Sequence, residues 1–185
     1  MLELQPLDVV CSTYIAENDP DGPNYLQSVF SCGIRWTQCM NDVDGKAHYT
    51  HTFVITDKNA TTFEALWTYK QQNLFDAYNG QEVLIGRCNS ISNSKKLYAL
   101  YSIREQYEGL RYPGLKLPLF LFAPRLLKYI PGRPVCSELT MRALYEAGVV
   151  NHWRGVTPSY VADMIRRWKI FDTVYEGFLS KEDFK

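Results

Sequence analysis

Residues 49–56, Tyr-Thr-His51-Thr-Phe53-Val-Ile55-Thr, and residues 61–68, Thr-Thr-Phe63-Glu64-Ala-Leu66-Trp-Thr, are joined by Asp57-Lys58-Asn59-Ala60. Both runs are rich in β-branched and aromatic residues, which suit a pleated surface, and the polar tetrapeptide between them supplies turn chemistry. The stretch therefore predicts a β-hairpin. If Lys58-Asn59 lies at the centre of the turn, Phe53 stands opposite Glu64 and Leu66 opposite His51. Glu64 is then the diagonal neighbour of His51 on the same face, roughly 7–8 Å away along the backbone. A slip of one residue would send Glu64 to the other face.

Working outward, residues 7–14 form a strand candidate, followed by a polar loop, ENDPDGPN, that ends at Asn24, a helix N-cap. Residues 25–36 then read as a helix with Leu26, Val29, Phe30 and Ile34 on one face. Downstream come a strand over 82–88, a helix over 95–107 and a Pro/Gly-punctuated region over 109–134. Cys136 opens the segment CSELTMRALYEAG, in which Leu139, Ala143, Leu144 and Ala147 share a helical face and Gly148 takes the position that ends a helix. Thr157-Pro158 begins a last helix, with Val161, Met164, Ile165 and Trp168 expected to face inward, and a short strand over 170–175 follows. Strands grouped early among helices make an α+β chain with a small antiparallel sheet. With no internal repeat and no linker, residues 1–185 are expected to form one domain.

Composition narrows the function classes. The 185 residues are 46% hydrophobic, enough for a packed core, and twenty basic residues balance twenty acidic ones without a block of either sign. That balance argues against a nucleic-acid partner. The opening MLELQPLDVV lacks the form of a secretory signal, and LKLPLFLFAPRLL is too short and too interrupted by proline to be a transmembrane segment. Cys11, Cys32, Cys39, Cys88 and Cys136 are scattered without a CxxC pair, which suits reduced thiols in a cytoplasmic setting better than disulfides or zinc. The sequon Asn59-Ala60-Thr61 carries little weight without a secretory signal.

Chemistry concentrates at Cys136. A thiol at a helix N-terminus has its thiolate form stabilised by the helix dipole, the more so beside an imidazolium. A cysteine is otherwise commonly a small buried apolar residue. Of the three histidines, His48 lies in a polar stretch and His152 follows a helix, whereas His51 opens an apolar strand and sits at its mouth. Glu64 is positioned to orient the His51 ring, with Asn89, one strand later, as the other candidate for that role.

These residues resemble the permuted papain-like amidases, the YiiX-like group related to NlpC-type cysteine peptidases. The matching pieces are LQPLDVV (4–10) for the opening Gly-Asp strand, THTFVI (50–55) for the histidine strand, FEA (63–65) for a Glu-Ala, VCSEL (135–139) for the nucleophile helix and VTPSYVA (156–162) for a late Thr-Pro helix. Leu7 stands in place of the family's glycine before Asp8. The resemblance implies a circularly permuted papain-like fold, with Cys136 as nucleophile, His51 as base, Glu64 as the third member and Asp8 as a structural acid. It further implies cleavage of an amide in a peptide, cell-wall peptide or acyl-amide substrate through an acyl-enzyme, with no metal or organic cofactor. A thioesterase or acyltransferase acting on lipid esters, and a catalytically inactive module of the same fold, are the alternatives.

Overall fold

The computed structural model describes residues 3–13, 48–113, 116, 129 and 131–184. The helix expected over 25–36, its cap Asn24, and Cys32 and Cys39 lie outside the described residues, as does most of 114–130. The described elements are six strands, β1 (Val9–Ser12), β2 (His51–Ile55), β3 (Thr61–Ala65), β4 (Tyr69–Asn73), β5 (Glu82–Cys88) and β6 (Phe171–Phe178). Four α-helices accompany them, α1 (Leu74–Tyr78), α2 (Asn93–Tyr107), α3 (Cys136–Glu146) and α4 (Pro158–Arg167), with a 3-10 turn at Lys181–Asp183.

The strands form one sheet in the order β4-β3-β2-β1-β5-β6, with every neighbouring pair antiparallel. The α+β class with a small antiparallel sheet is thus present. Val54 pairs with Phe63 and Ile55 with Thr62, the register that places Phe53 opposite Glu64. The turn is wider than a plain two-residue one. Thr56 and Thr61 close a four-residue loop in which the Asp57 carboxylate accepts the N–H groups of Asn59 and Thr61, and Ala60 adopts a left-handed φ of 62°.

Alternation along the strands divides the core. Val9, Cys11, Val54, Phe63 and Leu84 pack beneath α2, α3 and α4, while Val10, Phe53, Ile55, Val83 and Ile85 meet Leu74 and Tyr78 of α1 and the C-terminal Leu179 and Phe184. α3 seats on β2 and β3, and a hydrogen bond between the hydroxyls of Thr140 and Thr52, 3.1 Å, fixes its height on the sheet. α4 comes so close to β5 that a Cβ on Gly86 would lie 2.6 Å from Ile165.

Several boundaries differ from expectation. The strand expected over 61–68 ends at Ala65, and the chain then turns into β4 and α1, two elements the sequence pattern did not announce. Trp168 does not face inward. It caps the C-terminal end of α4 and is 39% exposed, because the helix stops before another turn could carry it to the core. β6 extends to Phe178, beyond the expected end at 175. Among the described residues no helix is long and apolar enough to cross a membrane.

Candidate active site

Cys136 is the first residue of α3 and is 5% exposed. Its helix starts here because Val135 is extended and Glu138 reaches back to accept the Val135 N–H at 3.2 Å. Val135 has no side-chain acceptor, so the first-turn N–H groups receive no cap from it. Pro134, just upstream, is held by the Tyr69 hydroxyl, which donates to its carbonyl at 2.5 Å.

His51 lies at the start of β2 and is buried. Its Nε2 meets Glu64 Oε2 at 2.9 Å, and the ring also hydrogen-bonds the Cys136 side chain. With Nε2 taken by the carboxylate, Nδ1 is the nitrogen left for the thiol. Burial by itself lowers the affinity of this ring for a proton. The hydrogen bonds to Cys136 and Glu64, together with the negative charge of both partners, outweigh it and raise the imidazole pKa to about 9.

Glu64 is completely buried and its carboxylate is well supplied with donors. Oε1 accepts from Thr62 Oγ1 at 2.8 Å and Gln72 Nε2 at 2.6 Å, and Oε2 accepts from Tyr78 Oη at 2.5 Å besides facing His51. The phenol of Tyr78 also lies parallel to the His51 ring, 6.5 Å between centroids. Carboxylate and ring are therefore fixed from several sides.

The structure brings Cys136, His51 and Glu64 together and leaves the other candidates elsewhere. Asn89 donates to Asp172 on the exposed β5–β6 side of the sheet and has no part in orienting His51. His48 pairs with Glu82 at 2.8 Å near the surface, and His152 is exposed. Asp8 is buried in a two-point ion pair with Arg87, 2.8 and 2.7 Å, and accepts the Gln5 N–H, a structural clasp between β1 and β5. Cys11 is wholly buried, and burial pushes its thiol far above the ordinary value.

Tyr112 is a member of the site that the sequence did not single out. Its hydroxyl is hydrogen-bonded by the backbone of Cys136 in the sense that favours phenolate, so the Cys136 N–H donates to it. Burial nonetheless keeps this phenol protonated, with its pKa well above the usual value. Tyr112 arrives from the loop after α2, held by its own N–H to the Trp67 carbonyl at 2.8 Å, and no periodic pattern marks such a residue.

This is an α+β fold with a cysteine at a helix tip facing a carboxylate-held histidine on the sheet. Among solved structures the chain is similar to the metalloprotein YiiX from Escherichia coli O157:H7, with 15% identity and a TM-score of 0.53 over 97% of this chain and 91% of that one. The chain thus resembles the YiiX fold. No family model matches it, and no curated protein matches it. Among the described residues no three His, Cys, Asp or Glu side chains are grouped so as to hold a metal ion, and the oxygens of Glu64 are already engaged by protein donors.

Proposed function

We propose that this chain is a papain-like cysteine hydrolase that cleaves an amide bond through an acyl-enzyme. The observation that carries the reading is the His51 ring held by Glu64 on one nitrogen while touching Cys136 at the start of α3. An imidazole with its pKa near 9 remains protonated at neutral pH, which suits a thiolate–imidazolium pair.

In the proposed reaction the Cys136 sulfur attacks the substrate carbonyl carbon and a C–S bond forms. The C–N bond then breaks as the His51 imidazolium passes its proton to the departing amine. Water, losing a proton to His51, attacks the thioester, releases the carboxylic acid and restores the ion pair. The oxyanion formed in each step takes the Cys136 N–H in place of the Tyr112 oxygen, and the Tyr112 O–H turns to serve as second donor.

Limiting iodoacetamide at about pH 6, where an ordinary thiol is almost wholly protonated, tests the pair without knowledge of the substrate. Cys136 should be alkylated ahead of the other cysteines, and His51→Ala should remove most of that preference, both read by mass spectrometry of the digest. Equal labelling of all accessible cysteines, unaffected by His51→Ala, would instead indicate a non-catalytic module. Peptide, cell-wall peptide and acyl-ester panels then rank the substrates of a reactive protein.

A further inference from the structure

Glu138 is the third residue of the helix that Cys136 begins, and it is completely buried. Its carboxylate gathers three segments of the chain. Oε2 accepts the Val135 N–H and lies 3.3 Å from Lys116 Nζ, while Oε1 accepts the Gly155 N–H at 3.0 Å. Lys116 is itself only 4% exposed, so both charges of this ion pair are out of water.

Two general facts make such a pair hard to explain by stability. Burying two opposite charges costs about as much as their attraction returns, and apolar replacements of similar volume are often no worse. A carboxylate in the first turn also opposes a thiolate at the same helix tip, since the two are like charges in a poorly screened interior. Among the described residues, the titratable groups that face Cys136 include His51 from β2, Cys11 from β1, Tyr69 from β4 and Tyr112 from the loop after α2, with Glu64 behind His51. Only His51 among them can be cationic, and it already answers Glu64. Arg133, also near Tyr69, is exposed and donates to the Arg111 carbonyl. Among the described residues, the cation paired with Glu138 is Lys116.

We propose that Lys116 is a positioning residue for the nucleophile: by neutralising Glu138 it lets that carboxylate brace the start of α3 without suppressing the Cys136 thiolate. The inference rests on the hydrolase reading above and adds to it a residue outside the Cys-His-Glu cluster.

The experiment is the pH–rate profile for iodoacetamide alkylation of Cys136 in the whole chain, wild type against Lys116→Met, Lys116→Arg and Glu138→Gln. Lys116→Met should move the midpoint upward by about one pH unit, a roughly tenfold slower reaction at about pH 6. Lys116→Arg keeps the charge and should stay near wild type. Glu138→Gln leaves Lys116 uncompensated and should move the midpoint downward, a result that decides the matter even if Lys116→Met does not fold. A wild-type protein that labels at low pH, with unchanged profiles in Lys116→Met and Glu138→Gln whatever their melting temperatures, overturns the inference and leaves the hydrolase reading standing. A wild-type profile like that of an ordinary thiol overturns both.

Discussion

Replacing Glu64 with glutamine would set an amide nitrogen, a donor, among the side chains of Thr62, Gln72, Tyr78 and His51, which all present donors to the carboxylate. At least one of these would face another N–H in a site closed to water. Glu64→Gln is therefore expected to cost about 1–3 kcal/mol of stability by denaturant unfolding. On the proposed mechanism it should also slow acylation, though less than Cys136→Ala, which removes the proposed nucleophile. Asn89→Ala should leave turnover at the wild-type level, because Asn89 is bonded to Asp172 away from the site. His51 carries a pH signature of its own. Its folded pKa, about 9, lies above the ordinary value near 6.5, so the folded state holds the proton more tightly than the unfolded one. The stability from this contact is fully present below about pH 6.5 and is lost as pH rises through 9, and urea titrations from pH 6 to 10 should show that decline in wild type and a flatter profile in His51→Gln.

At the level of elements, the hairpin pattern carried the site. Once the register was fixed by Val54, Ile55, Thr62 and Phe63, Glu64 had to share a face with His51, and the helix cap pattern around Cys136 and Gly148 marked both ends of α3. What stayed hidden was the setting of the carboxylate. Tyr69–Asn73, YKQQN, is a strand at the sheet's edge whose residues beyond Tyr69 are only partly buried, so it lacks the apolar alternation that marks a half-buried strand. α1, a single short turn-and-a-half capped by Asn73, offers too few residues for a helical period, yet it delivers Tyr78 to Glu64. Leu7 shows a different kind of departure. It has φ 67°, the left-handed conformation that glycine adopts freely, but its side chain is buried in the core at 1% exposure. Leu7→Gly should relieve about 1 kcal/mol of backbone strain and lose more than that in burial, a net destabilisation measurable as a lower melting temperature. Gly86 is needed for the opposite reason, the approach of Ile165. Gly86→Ala should destabilise by about 1–3 kcal/mol, and Ile165→Ala in the same chain should recover part of the loss.

For the molecule as a whole, the position of β1 matters most. The first strand of the sequence lies inside the sheet, paired on one side with β2 and on the other with β5, and Asp8 locks it to Arg87. Removing residues 1–12 would open the sheet at its middle and expose Phe53, Val54, Leu84 and Ile85, so the shortened chain should show no cooperative thermal transition by circular dichroism. The α+β class and the order of β1, β2, β3 and β5 could be read from the sequence because each of these strands announces itself by its own residues, whereas β4 and α1 do not. The contacts of Tyr112 and of Lys116 could not, because they depend on how residues distant in sequence are brought to one helix tip. Chain order has a further consequence during synthesis. His51, Glu64 and the side chains that hold Glu64 all emerge from the ribosome before residue 136, so the histidine and its carboxylate are synthesised ahead of Cys136. The Cys136 thiol is translated late, and the proposed Cys-His pair cannot exist until α3 has been made and laid against β2.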